Sequence, residues 1–302
     1  MYRKFFGLRS SPFNVNPDPR FLFLTKHVRE SLACLTYGIR QRKGFILLTG
    51  EVGTGKTTAI NKMLEWLRGQ QIPSAFIFNP RLTVAEFFNL MMHEFEIPCD
   101  ARDKSEVILR LNDWLLSQYR SARTAVLVID EAQNLSGELL EEIRLLTNLE
   151  TSTEKLLQIV LCGQPELEER LRRHDMRQLR QRITLRAQTQ RLTLEETHRY
   201  VEQRLQTAGA ANGHRIFSPA AMDRVYAHAQ GNPRITNLLC EHALISAFAD
   251  QHQTIEPQVV DSVARDFQLH DDTEVAHAEA PLGMVRASVE TMRAKVARQG
   301  EN

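Results

Sequence analysis

Nine consecutive residues constrain this chain more than any others: Gly50-Glu51-Val52-Gly53-Thr54-Gly55-Lys56-Thr57-Thr58. They fit the pattern G-x-x-x-x-G-K-[ST], and their flanks fit it too. Gly44 to Thr49 is a short apolar run that predicts a buried strand. Thr58 to Arg68 carries Ile60, Met63, Leu64 and Leu67 at helical spacing. Strand, glycine loop and helix form the setting in which backbone N–H groups converge on a phosphate chain. Glycines reach conformations closed to other residues, and the positive end of the helix adds attraction. The pattern assigns Lys56 to the β- and γ-phosphates and the Thr57 hydroxyl to Mg²⁺. An ordinary glycine turn is the bland alternative, and it explains neither the lysine nor the threonine.

With 302 residues the chain is long for a single core, which predicts two domains and a tail. Lys and Arg total 38 against 37 Asp and Glu, so no global basic signal points to nucleic acid. The cysteines (Cys34, Cys99, Cys162, Cys240) are widely spaced and lack metal-ligand spacing, so reduced, buried thiols are expected. No apolar run reaches the length of a membrane span, and the first residues lack a secretory h-region. The expected location is the cytoplasm, free or peripheral at the inner membrane.

Along the chain, residues 1–25 read as an arm rich in proline and aromatics, expected to pack across the core domain or against a neighbour. Residues 26–41 read as a helix with Val28, Leu32, Leu35 and Ile39 on one face. Ser74 to Asn79 reads as a second strand, and Thr83-x-x-Glu86 as a capping box opening a helix through Phe95. Residues 104–119 form an amphipathic helix. Ala125 to Ile129 is an unbroken apolar strand ending in Asp130-Glu131, as in a parallel sheet covered on both faces. A helix over 138–149 and a strand over 156–162 follow. From Arg170 to Arg191 there are eight arginines and one acid, Asp175, with Ile183-Thr184-Leu185 as a short fifth strand. Thr193-x-x-Glu196 caps a new helix, and everything to about 268 reads as helical. The boundaries are therefore an arm over 1–25, a core domain over 26–190, a helical lid over 191–268, and a linker and tail over 269–302. The alternation of strand and helix predicts a right-handed α/β sheet.

These motifs resemble those of AAA+ ATPases of the general secretion pathway protein A group, also called ExeA-like. The resemblance runs over roughly residues 1–268. It is carried by the Phe5-Phe6-Gly7-Leu8 start, Pro17-Asp18-Pro19-Arg20-Phe21, the phosphate loop, and Asp130-Glu131-Ala132-Gln133. It continues through Asn148-Leu149-Glu150-Thr151, Gly163-Gln164-Pro165-Glu166-Leu167, Gln181-Arg182-Ile183 and Gly231-Asn232-Pro233-Arg234. Relatives that serve secretion often continue into a transmembrane helix and a peptidoglycan-binding domain, and this sequence shows neither.

The resemblance implies a P-loop NTPase sheet of AAA+/ASCE type in the order 5-1-4-3-2, followed by the helical lid. It implies ATP and Mg²⁺ as cofactors, held by Gly50 to Thr58, with Thr57 and Asp130 at the metal. Glu131 would orient or deprotonate the attacking water. Gln164 falls at the sensor-1 position and Arg234 at sensor 2. An arginine finger from a neighbouring subunit is best matched by Arg182, with Arg177 and Arg180 open alternatives. The implied function is an ATP-hydrolysing motor or switch, assembled as a ring or partial ring and serving a secretion, pilus or exopolysaccharide machine through an envelope partner protein. A nucleic-acid-associated ATPase resembling transposition regulators, with Arg170 to Arg191 tracking phosphates, is the disfavoured alternative. A nucleotide-binding scaffold without turnover is opposed by intact Lys56, Asp130 and Glu131.

Overall fold

The fold is taken from a computed structural model that describes residues 1–14, 18–78, 81–98, 103–210 and 216–269. Its elements run in chain order as α1 (Tyr2–Phe5), α2 (Lys26–Arg40), β1 (Phe45–Thr49), α3 (Lys56–Gly69), β2 (Ser74–Ile77), α4 (Val84–Glu94) and α5 (Lys104–Arg120). They continue with β3 (Ala125–Ile129), α6 (Gly137–Leu146), β4 (Leu157–Gly163), α7 (Pro165–Arg172), α8 (Arg177–Arg182) and β5 (Ile183–Gln188). The chain then becomes helical: α9 (Leu194–Thr207), α10 (Pro219–Ala229), α11 (Pro233–Ala249) and α12 (Pro257–Asp266).

The strands form one sheet in the order β2-β3-β4-β1-β5 with every pairing parallel, as the resemblance implied. All five residues of β1 and of β3 are buried. Successive side chains on a strand point to opposite faces, and the two faces feed two cores. Leu127 and Ile129 pack with α4, α5 and α6, whereas Val126 and Val128 pack with Leu35, Ile60 and Met63 of α2 and α3. Continuous apolar strands are what a two-sided sheet requires. Because the strands are parallel and in register (Thr49 opposite Gly163, Ile129 opposite Leu161), three strand ends open on one edge. Gly50, Asp130 and Gln164 therefore emerge side by side, where ligands bind in open α/β sheets.

Both capping boxes form as read. The Thr83 and Thr193 side chains accept from the N–H groups of Glu86 and Glu196, whose carboxylates return to the threonine N–H groups. Three readings are corrected. The inward stripe of α2 is Ser31, Leu35, Gly38 and Ile39, while Val28 and Leu32 are half-buried. Gly38 lies there because a Cβ would come within 2.6 Å of Ile46, so the helix crosses the sheet too closely for a side chain. The Arg-rich stretch also holds the last turn of α7 and the whole of the short helix α8, which its charge concealed.

The third correction concerns the arm, whose aromatics pack into the C-terminal helices instead of across the sheet. Phe6, Leu8, Phe13 and Phe21 are buried in a third core together with Tyr200, Val201, Phe217, Leu239 and Leu244 of the C-terminal region. Tyr2 donates to Glu241 at 2.6 Å, and Arg204 donates to the Pro12 carbonyl at 2.6 Å while stacking over Phe21. Leucine and phenylalanine burial contributes roughly 1.5–3 kcal/mol per side chain, so the C-terminal helices gain much of their core from the arm.

Cys162 and Cys240 are buried thiols and Cys34 is half-exposed; Cys99, Asn79 and the expected tail over 270–302 lie outside the described residues. No helix among the described residues is long and apolar enough to cross a membrane.

Candidate functional site

The loop from Gly50 to Gly55 turns β1 into α3. Gly53 and Gly55 have φ of +80° and +96°, values that strain any side-chain-bearing residue. Gly50 is required for a different reason: a Cβ there would lie 2.0 Å from Thr189 Oγ1. The Lys56 ammonium is buried and folds over the loop, donating to the carbonyls of Gly50 (2.7 Å) and Glu51 (2.9 Å). Thr54 Oγ1 donates to the Glu51 carbonyl and meets Thr189 Oγ1, each at 2.7 Å. Thr57 and Thr58 stand on the first turn of α3, half-buried, while Glu51 and Val52 are exposed. Glu51 is paired with Arg191 at 2.7 Å.

Past β3 the two carboxylates have different surroundings. Asp130 is buried, and its Oδ1 accepts from the Glu131 N–H at 2.9 Å. Burial raises its pKa. The hydrogen bonds from the Glu131 N–H and the Cys162 thiol oppose that shift, the Glu131 charge adds to it, and Lys56 opposes it. Glu131 has a φ of +53°, a left-handed conformation costing about 1–2 kcal/mol in a non-glycine residue. Its Oε2 accepts a short hydrogen bond from Gln133 Nε2 and another from Gln164 Nε2 at 3.3 Å. Gln133 Oε1 in turn accepts from the Gln164 N–H at 3.2 Å. Arg170 of α7 donates to the carbonyls of Gln133 and Leu135, fixing the turn behind the carboxylates.

The C-terminal helices reach the loop through Gly231-Asn232-Pro233-Arg234. Asn232 is the N-cap of α11: its Oδ1 accepts from the N–H groups of Arg234 (3.0 Å) and Ile235 (3.4 Å). Its Nδ2 donates to the Val52 carbonyl at 2.8 Å. Arg234 is exposed, and its Cβ packs over Gly53 closely enough that an alanine Cβ there would approach it to 2.7 Å.

Of the predicted residues, the structure brings together Gly50 to Thr58, Asp130, Glu131, Gln164 and Arg234. It does not bring Arg182 to them. Arg182 Nη1 donates to Thr147 Oγ1 at 2.6 Å beyond the end of α6, and Arg177 and Arg180 are exposed on α8. Sequence reasoning gave no role to Gln133, Arg170, Thr189, Arg191 or Asn232. Asn232 carried a legible signal, a capping residue directly before a proline at the first helical position. Thr189 carried none, because its partner is 135 positions away.

A parallel sheet in this order, with a lysine-bearing phosphate loop and two carboxylates at its C-terminal edge, is the architecture of the P-loop AAA+ ATPases. Residues 39–171 match the AAA domain family. The chain is further a relative of General secretion pathway protein A from Aeromonas hydrophila, with 43% identity over 254 residues. That match covers 82% of this chain and 45% of that protein, so the chain spans less than half its relative's length. Among solved structures, the fold is similar to the Aeropyrum pernix ORC2 protein in its ADPNP–ADP complexes, at a TM-score of 0.63 and 15% identity, covering 84% of this chain and 71% of that one. Cdc6p from Pyrobaculum aerophilum gives a TM-score of 0.62 at 18% identity, covering 82% and 70%. Identities this low speak for the fold alone.

Proposed function

We propose that this chain is an ATP-binding, Mg²⁺-dependent ATP-hydrolysing AAA+ motor or switch that acts as a ring or partial ring in an envelope assembly system of the secretion, pilus or exopolysaccharide kind. The observation that carries the reading is the convergence of Lys56, Asp130, Glu131 and Gln164 on one sheet edge. Residues 26–190 act as the ATPase domain and 191–268 as its lid. Lys56 exchanges its loop carbonyls for the β- and γ-phosphates, and the loop N–H groups take the remaining oxygens. Asp130 and Thr57 offer hard oxygen donors, a set that suits Mg²⁺, which keeps waters and phosphate oxygens as its other ligands. The ion would neutralise charge on the phosphates. Glu131 takes the proton of the water attacking the γ-phosphorus as ADP leaves. Gln164 orients the water or the phosphate, and Arg234 reaches the γ-phosphate from the lid. A finger from the Arg177–Arg182 segment of a neighbour completes the charge balance, with Arg182 as the family match.

The relation to General secretion pathway protein A supports an envelope partner at the cytoplasmic side of the inner membrane. A nucleic-acid-bound ATPase is the second reading, supported by exposed Arg172, Arg173, Arg177, Arg180 and Arg186. Duplex binding that weakens steeply with salt would favour it.

The test is nucleotide binding and steady-state turnover of purified protein. Lys56→Ala should lose binding, and Glu131→Gln should bind ATP but barely turn it over. Equal turnover in Glu131→Gln and wild type removes Glu131 from its role.

A further inference from the structure

Glu131 is the group assigned to the attacking water, yet nothing in the strand that carries it fixes its carboxylate. It stands two residues beyond the buried strand β3, on a left-handed backbone, with several rotatable bonds between Cα and the reacting oxygens. What holds it is the side chain of Gln133. Both ends of the Gln133 amide are engaged in this way, since Nε2 donates to Glu131 Oε2 and Oε1 accepts from the Gln164 N–H at 3.2 Å. Gln164 closes the figure with its own Nε2, which donates to the same Glu131 Oε2 at 3.3 Å. The seat for Gln133 is built into the fold. A Cβ on Gly163 would stand 2.9 Å from Gln133 Oε1, so only glycine at the end of β4 leaves the amide its place. Arg170 pins the Gln133 carbonyl from the other side at 3.3 Å.

We propose that Gln133 is a positioning residue for hydrolysis, whose amide ties the Glu131 carboxylate to Gln164 so that base and sensor respond as one unit. The inference rests on the ATPase reading above. Both donors end on Oε2, which leaves Oε1 to receive the proton of the attacking water. A shift of Gln164 is then transmitted to Glu131 by two routes, its own Nε2 and the short Gln133 bridge. Orientation of this kind affects the chemical step and not the binding of phosphates, which belongs to Lys56 and the loop.

The competing explanation is that Gln133 merely supports the start of α7 by accepting from the Gln164 N–H. Gln133→Glu separates the two. Glutamate keeps an acceptor for Gln164 but loses the donor to Glu131 and sets a like charge against it. Gln133→Leu removes both bonds at similar volume and serves as the second variant should the glutamate perturb folding. Binding of a fluorescent ATP analogue and single-turnover hydrolysis with Mg²⁺ are measured for wild type, both variants, Glu131→Gln, and each variant combined with Glu131→Gln. The expected result is a fall in hydrolysis rate of roughly tenfold to a hundredfold in Gln133→Glu and Gln133→Leu, with analogue affinity within about twofold of wild type. In the Glu131→Gln background neither substitution should slow the reaction further, because both act through the carboxylate already removed. Wild-type hydrolysis in Gln133→Glu overturns the proposal, as does an additive loss in the double variants. If wild type hydrolyses and Glu131→Gln does not, such results remove Gln133 alone. A wild type without turnover overturns the ATPase reading and this inference with it.

Discussion

Replacing Gly53 by alanine tests whether the C-terminal helices are seated on the phosphate loop, and Gly55→Ala supplies the control within the same loop. Both glycines are left-handed, with φ of +80° and +96°, so alanine costs each about 1–2 kcal/mol of backbone strain. They differ in what a Cβ would meet. At Gly55 nothing lies within 4 Å, whereas at Gly53 the new atom would come within 2.5 Å of Asn232 Oδ1 and 2.7 Å of Arg234 Cβ. Relieving that overlap means moving the start of α11, at roughly 1–3 kcal/mol for overpacking. It also means stretching the Asn232–Val52 hydrogen bond, which contributes about 1 kcal/mol. Gly53→Ala should therefore be destabilised by about 2 kcal/mol or more beyond Gly55→Ala, read from urea midpoints at constant slope. A double-mutant cycle sharpens the test. Asn232→Ala alone loses the cap and the Val52 bond, about 2 kcal/mol together. In the Gly53→Ala background it also removes the nearest obstructing atom, so the pair should cost at least ~1 kcal/mol less than the sum. Equal stabilities of Gly53→Ala and Gly55→Ala, or an additive cycle, would refute the claim that loop and helices are in register.

Two further outcomes follow from the site. Burial raises the Asp130 pKa, so the folded state holds that proton more tightly than the unfolded chain. This contribution to stability is present at low pH and is lost as pH rises from the ordinary carboxylate range through the raised value. Asp130→Asn should thus raise the melting temperature of the nucleotide-free protein at neutral pH, with the gain shrinking toward about pH 4; an unchanged or lower neutral-pH melting temperature would contradict it. If the proposed finger acts between subunits, turnover per subunit should rise with protein concentration, and Arg182→Ala mixed with Lys56→Ala under demonstrated subunit exchange should recover activity. Concentration-independent turnover with no recovery would exclude a finger acting in trans.

The sheet was legible because its determinants are local. The apolar runs of β1, β3 and β4, the glycine loop and the two Thr-x-x-Glu boxes each announce themselves within a few residues, and the observed strand order follows once the resemblance is accepted. What escaped reading depends on contacts between distant segments. Thr189 matters only because β5 runs beside β1, bringing its hydroxyl to Thr54. Gln133 was visible as a letter in Asp-Glu-Ala-Gln, but its role needs Gln164 at the end of the adjacent strand. The arm was misplaced for a related reason: composition showed that its aromatics must be covered, and gave no address for the cover. Arg182 is the reverse case, a residue marked by family pattern that the monomer ties to Thr147, away from the phosphate loop.

The seating of the arm has a consequence for biosynthesis. Phe6, Leu8 and Phe13 are translated roughly 200 residues before Phe217, Leu239 and Leu244, the side chains that enclose them. While the parallel sheet is emerging and able to close, these side chains have no native shelter and stay exposed to solvent. Contacts of such separation form late, after the loop entropy of the whole intervening chain has been overcome. A nascent chain halted before α11 should therefore bind chaperones through residues 2–13, and release from them should coincide with completion of the C-terminal helices.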